Sequence, residues 1–415
     1  MACALHRDGE IALRVTGEYN RRYREWGFRA CGEEDSFMRA CTIWIVVAGL
    51  IIPAIAAGDE SLLTVRDRQF FDSEGREVIL HGVNVHAACT RDDLKRIKTW
   101  GFNCVRLVMF WSALEPECGQ YDDDYLRQID ERIRWTKQNR IYVLLDRHRD
   151  LWGEGVPHGR GAARWALITE GQSHKHVGPA WSDAYLSSPM VQAAFDSFWA
   201  NKPGPDGVGI QDRFALAWQR LAERYAEEPT VIGIDLFNEP FAGSPTAEAL
   251  ELMGAKLGEL FSTKDTPAGE LDLSEMLADK SAVYHLYDRL RDIKAYTAFI
   301  EASERTFKQF ERTKLNPMYQ RVADAIRRVD KRHILFIEPS VSANIGITSD
   351  LQPLIGQDGK PDPRQSVIPH AYDLVTDAPG AGPPDVGRMR LVLTRLQEAC
   401  PAHERADAVR RVGRV

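Results

Sequence analysis

The sequence predicts a parallel α/β architecture, a barrel of strand-helix units cut short after the sixth. Three observations carry that expectation. Apolar, β-branched runs recur along the chain, each followed by a stretch with helical spacing, which is the pattern of a right-handed parallel sheet covered by helices. One of these runs, Val231–Phe237, ends abruptly in Asn238-Glu239-Pro240, as a buried parallel strand does when it delivers a carboxylate to its C-terminal rim. After the sixth unit only Cys400–Val415 is left, an Arg-rich segment with no apolar run to supply further strands. An open six-strand sheet is the alternative architecture.

Taken in order, residues 65–80 alternate around Ser73-Glu74-Gly75 and predict a hairpin. Leu80–Val85 is the first buried strand. Thr90 caps a helix running to Trp100, and Gly101 stops it. Asn103–Phe110 and Ile141–Asp146 are the second and third strands, with a helix over Tyr125–Gln138 between them. Gln211–Ala226 is an amphipathic helix leading into the fourth strand, Val231–Phe237. His333–Ile337 and Ser366–His370 are the fifth and sixth strands, beside helices Pro317–Val329 and Asp385–Ala399. Two insertions interrupt this rhythm: a loop-rich one, Leu151–Ile210, and a helical, polar one at 242–316. The first carries Trp152, Trp165, Trp181, Phe195, Phe198 and Trp199, which either stack on sugar faces or pack the insertion on itself.

With 415 residues and a net charge of -7, the chain is long enough for one large barrel and offers no basic surface for nucleic acid. Met38-Arg39 followed by the apolar run Ile43–Ile52, Pro53 and small residues to Gly58 has the form of a secretory signal peptide beginning at an internal Met. The expected organisation is therefore an upstream extension at 1–37, a signal peptide at 38–57, an incomplete barrel at 58–399 and an aberrant Arg-rich tail at 400–415. The product would be secreted, or membrane-anchored if the leader is not cleaved. Of seven cysteines, Cys89, Cys104, Cys118 and Cys400 lie after that leader, and none has metal-site spacing. A disulfide such as Cys89 with Cys118 is compatible with export.

The strand ends collect Arg106, then Asp146, His148 and Asp150, then Asn238 and Glu239, then Glu338, then His370 and Tyr372. In one barrel these converge on one rim. No metal-binding set and no Gly-rich phosphate loop accompanies them, so neither a metal nor another cofactor is expected. Carboxylate chemistry on a neutral acetal fits such a rim: one carboxylic acid protonates the leaving oxygen while a second carboxylate attacks or activates water.

The ordered set LHGVNV, VRLVMFW with LEPECGQYDDDYL, DRHRD, NEP and PHAYD resembles glycoside hydrolase family 5. Within it, DxHxD at Asp146–Asp150, GAARWA at Gly161–Ala166, FDSFWAN at Phe195–Asn201 and DLFNEPF resemble the endoglycoceramidase-related branch. The resemblance covers roughly residues 62–399. It implies a (β/α)8 barrel and a retaining, double-displacement mechanism. Glu239 would be the acid/base, with a pKa raised by a second carboxylate beside it, and Asn238 would bind the sugar 2-hydroxyl. Arg106 would orient the nucleophile, His148 and Asp150 would grip the terminal sugar, and His370 and Tyr372 match the family's His-x-Tyr on the sixth strand, whose phenol would stand by the nucleophile.

The family keeps its nucleophile on the seventh strand, in a Gly-Glu-Phe-Gly-like sequence, and nothing after Tyr372 matches. Glu338 is the remaining candidate, although it falls on the fifth strand. The expected function is a secreted, monomeric retaining β-glycosidase of carbohydrate or glycolipid substrates with transient membrane-surface contact. The alternatives are a β-glucan endohydrolase and a non-catalytic carbohydrate-binding protein. With the nucleophile strand missing, the chain as given is expected to be poorly soluble and without measurable hydrolysis.

Overall fold

The structure, a computed structural model, describes residues 62–66, 69–178, 180–261, 280–376 and 385–399. The expected extension, leader and tail at 1–37, 38–57 and 400–415 lie outside them. Six parallel strands form one sheet in sequential order: β4 (Gly82–His86), β5 (Cys104–Met109), β6 (Tyr142–Arg147), β7 (Val231–Asp235), β8 (Ile334–Ile337) and β9 (Gln365–Val367). The six predicted strands are all present. The last is shorter than expected, so His370 stands on the loop beyond it.

Side chains alternate across a strand, so residues two apart share a face. On one face of the sheet Cys104, Leu144, Ile232, Ile334 and Phe336 form an apolar cluster. Continuing along that same face toward the C-terminal ends come Arg106, Asp146, Asp235 and Glu338, all buried and joined by ion pairs. The pairing of β6 with β7 slips by one residue at Val143/Leu144. That slip lets Ile232 and Asp235, three apart, both serve this face. Gly233 is needed there, because a Cβ would stand 2.3 Å from the Ile334 carbonyl oxygen.

The predicted hairpin forms as part of a three-stranded antiparallel sheet, β1 (Thr64–Arg66), β2 (Gln69–Phe71) and β3 (Glu77–Val78). Leu63, Phe70 and Val78 from this segment pack on the apolar cluster and so cover it from water.

The other face carries the helices. Helix α1 (Arg91–Thr99) starts at Thr90, whose side chain accepts from the Asp93 amide while the Asp93 carboxylate accepts from Thr90. Next come α2 (Asp123–Gln138), α3 (Pro189–Trp199) and α4 (Ile210–Tyr225). The insertion after β7 supplies α5 (Pro245–Phe261), α6 (Lys280–Arg289), α7 (Ile293–Glu301) and α8 (Glu304–Phe310), and is less polar than expected. It buries Met253, Leu257, Tyr296, Phe299, Ile300, Phe307 and Phe310. Helices α9 (Asn316–Arg327) and α10 (Val386–Glu398) complete the set. Among the described residues no helix is long and apolar enough to cross a membrane. Cys89 and Cys118 are both free thiols, which corrects the disulfide expectation.

The aromatic side chains of the first insertion mostly pack the insertion on the barrel. Trp152, Phe195, Phe198 and Trp199 are buried, on or against α3, and Phe198 stacks on Phe237 at 5.3 Å. The sugar-stacking alternative is thereby removed for these four; Trp181 alone of the named set is largely exposed, at 47 %. The layer they form lies under the strand ends and fixes the height of the β7 rim. Replacing Phe198 by Ala is expected to cost about 3–5 kcal/mol, read as a lower urea midpoint. Trp181→Ala should stay within about 0.5 kcal/mol in the same measurement.

Candidate active site

The site is built outward from the Arg106 guanidinium. Its Nε donates to Asp235 Oδ2 at 2.9 Å, and Nη2 donates to Asn238 Oδ1 and Glu338 Oε1 at 3.0 Å each. Nη1 pairs with Asp146 Oδ2 at 2.9 Å. One cation thus serves three buried carboxylates, so the group is short of positive charge. Burial, with the charge of Asp146 adding to it, pushes the Asp235 carboxyl up against the pull of Arg106. Burial and the charge of Asp235 likewise push Glu338 well above the ordinary carboxylate range. Arg106 itself is opposed by burial but held more firmly protonated by the three carboxylates.

Asn238 and Glu239 follow where β7 ends. Asn238 is fully buried, with its Nδ2 donating to the Arg149 carbonyl at 3.3 Å. Glu239 has φ +45°, a left-handed conformation that costs a non-glycine residue about 1–2 kcal/mol. Both of its peptide groups are held: its N–H donates to Glu338 Oε2 at 2.8 Å, and its carbonyl accepts from Arg149 Nη2 at 2.5 Å. The turn aims its carboxylate into the open rim. There Oε1 lies 2.6 Å from His370 Nδ1 and accepts from Tyr372 Oη and Asn344 Nδ2 at 3.3 Å each.

Burial favours the neutral Glu239 acid, but the hydrogen bond and charge of His370, helped by His148 and Arg149, outweigh it and hold the carboxyl below its ordinary value. That is the reverse of the expected raised value. The physical reason is that cationic neighbours, and not a second open carboxylate, surround it.

The segment DRHRD alternates in the same way as the strand before it. Asp146 and His148 turn to the site, where His148 Nδ1 lies 3.0 Å from Asp146 Oδ2 and Nε2 lies 3.8 Å from Asp150 Oδ1. Arg147 and Arg149 turn to the aromatic layer. Arg147 lies over Phe214 and Trp218, each at 4.3 Å, and Arg149 over Phe237 at 4.2 Å and Phe195 at 4.4 Å. Burial raises Asp150, and the charge of Glu239 raises it further against the pull of His148. In His148 the charges of Asp146 and Asp150 overcome burial and raise the imidazole.

All nine residues expected at the rim therefore meet in one network. Tyr372 and His370 both contact Glu239. Glu338, the remaining candidate for the second carboxylate, is 1 % exposed and engaged by Arg106 and the Glu239 amide. Three participants were not anticipated: Asp235, Arg149 and Asn344. An aspartate inside the apolar run VIGID was a usable signal for Asp235, since a buried acid needs a partner. Arg149 was visible only as part of DRHRD, and nothing local marks Asn344.

Arg106→Met leaves the buried carboxylates without their cation and is expected to cost about 3–5 kcal/mol near neutral pH. Asp235 and Glu338 already have raised folded values, so their protonation stabilises the fold fully below the ordinary carboxylate range, a contribution lost as pH rises through those values. Removing Arg106 raises both further, so the deficit should shrink as pH falls toward about 4. Urea unfolding of both proteins across this range measures it.

Comparison with known proteins places this arrangement. The family model described as Cellulase (glycosyl hydrolase family 5) matches residues 71–382. Endoglycoceramidase I of Rhodococcus hoagii (strain 103S) is 33% identical over 187 residues, covering 42% of this chain and 36% of its own length. Endoglycoceramidase of Hydra vulgaris is 29% identical over 214 residues, covering 42% of this chain and 39% of its own. The chain thus spans less than half the length of these curated relatives. Among solved structures, endo-glycoceramidase II from Rhodococcus sp. in complex with ganglioside GM3 aligns with a TM-score of 0.57 at 25% identity, over 79% of this chain and 64% of that one. The six parallel strands in sequential order agree with part of the barrel that this family implies. With the family model matching three quarters of its residues, the chain belongs to the cellulase family, glycosyl hydrolase family 5.

Proposed function

We propose that this chain carries the proton-handling half of a retaining β-glycosidase acting on glycolipids, with Glu239 as general acid/base. The observation that carries the reading is the Glu239 carboxylate itself. It is held by three donors at the strand-end rim, its side chain keeps 23% of its surface open, and His148 and Asp150 stand on the neighbouring strand end. The relatives, endoglycoceramidases among them, support glycolipids over β-glucans.

In the first half of such a reaction Glu239 gives a proton to the leaving oxygen, and a second carboxylate attacks the anomeric carbon. In the second half Glu239 takes a proton from the water that releases the sugar. Held below the ordinary range, Glu239 is suited to the second half as it stands. The first half needs a raised value, which a nucleophilic carboxylate beside it supplies by like charge. Asn238 meets the sugar 2-hydroxyl, His148 and Asp150 hold the terminal ring, and Arg106 orients the acid groups. The second carboxylate is unassigned, since the sequence after Tyr372 lacks the family's nucleophile pattern. Export through the leader at 38–57 belongs to the same proposal and is tested by N-terminal sequencing of secreted protein.

The ionised Glu239 and the unassigned partner favour one second reading, a carbohydrate-binding protein without turnover. The full chain, incubated with a fluorescent lactosylceramide and separately with a soluble β-glucan, distinguishes the two. Cleavage of the glycolipid that Glu239→Gln lowers about 10²–10⁴-fold while binding is kept supports the acid/base assignment. Cleavage indifferent to Glu239→Gln would end the acid/base assignment. Binding without cleavage in either form selects the second reading.

A further inference from the structure

We propose that Glu338 is a positioning residue, holding the Glu239 peptide in its left-handed turn and the His370 ring against the Glu239 carboxylate. Glu338 faces the site because it continues the inward face of β8 after Ile334 and Phe336. Its own main chain is fixed: Tyr319 Oη donates to the Glu338 carbonyl at 2.8 Å and accepts from its N–H at 3.2 Å. A glutamate anchored in this way presents two oxygens in fixed places.

Those oxygens meet three groups. Oε2 accepts from the Glu239 N–H at 2.8 Å. Oε1 accepts from Arg106 Nη2 at 3.0 Å and lies 3.4 Å from His370 Nε2. The other nitrogen of that imidazole lies 2.6 Å from Glu239 Oε1. Glu338 therefore reaches Glu239 twice, once directly through its amide and once through the ring that touches its carboxylate.

The arrangement requires a carboxyl group and no other. Arg106 and the Glu239 amide are donors only, so each needs an acceptor oxygen. An amide in place of the carboxyl would set its NH2 against one of those two donors in either orientation. The left-handed turn of Glu239 depends on the same contact, because its conformational cost is offset by two hydrogen bonds, its N–H donating to Glu338 and its carbonyl accepting from Arg149. The consequence for catalysis rests on the acid/base reading of Glu239 given above; the structural assignment does not.

The test reads Glu239 without turnover, so that failure of hydrolysis and failure of this assignment remain distinguishable. The full chain is labelled with ¹⁵N-glutamate and ¹⁵N-histidine, and the Glu239 amide is identified by its loss in Glu239→Gln. In the native protein that amide is expected to be shifted downfield and to exchange with deuterium about 100-fold more slowly than exposed loop amides. In Glu338→Gln its protection should fall about tenfold or more, and the His370 ring resonances should move, with cooperative thermal unfolding retained. Unchanged Glu239 and His370 signals in folded Glu338→Gln would overturn the assignment. If that variant does not fold, the native protein decides: rapid exchange of the Glu239 amide refutes the clamp, and slow exchange with the downfield shift supports it.

Discussion

The structure depends on one charge arrangement, a single buried guanidinium held among three carboxylates contributed by different strands. Arg106 on β5 reaches Asp146 on β6, Asp235 on β7 and Glu338 just beyond β8. Each of these groups would be costly to bury alone, and together they lock four neighbouring strands at a common height. The arrangement stabilises specificity of register more than it stabilises the fold in free energy, because one cation cannot neutralise three acids. The excess negative charge is what drives Asp235 and Glu338 upward.

From that centre the site extends in two directions. Toward solvent, His370 and His148 bring their rings to the carboxylates of Glu239 and Asp146. Toward the helices, Arg147 and Arg149 meet π-faces where other proteins would place acids. Arg149 joins the two regions. It lies over Phe237 and Phe195 while donating to the Glu239 carbonyl, so the packing of the insertion and the aim of the carboxylate are set by one side chain.

This coupling gives the long first insertion a role that its aromatic content alone does not reveal. Phe195, Phe198 and Trp199 are not presented to a ligand; they form the floor on which the β7 rim rests. Behind β8 the corresponding task falls to α9, whose Tyr319 fixes the Glu338 main chain.

Strand and helix order, the Thr90 cap, the hairpin at 65–80 and the rim residues Arg106, Asp146, His148, Asp150, Asn238, Glu239, Glu338, His370 and Tyr372 were legible in the sequence. Periodicity and the polar ends of apolar runs are local properties, so they survive without coordinates. What the tertiary structure alone decided is pairing and charge. That Tyr372 and His370 meet Glu239, that Asn344 joins them, that Glu338 is buried beneath Arg106, and that Glu239 is held ionised all depend on groups distant in sequence. Electrostatic environment is a sum over spatial neighbours, and no stretch of sequence contains its own neighbours.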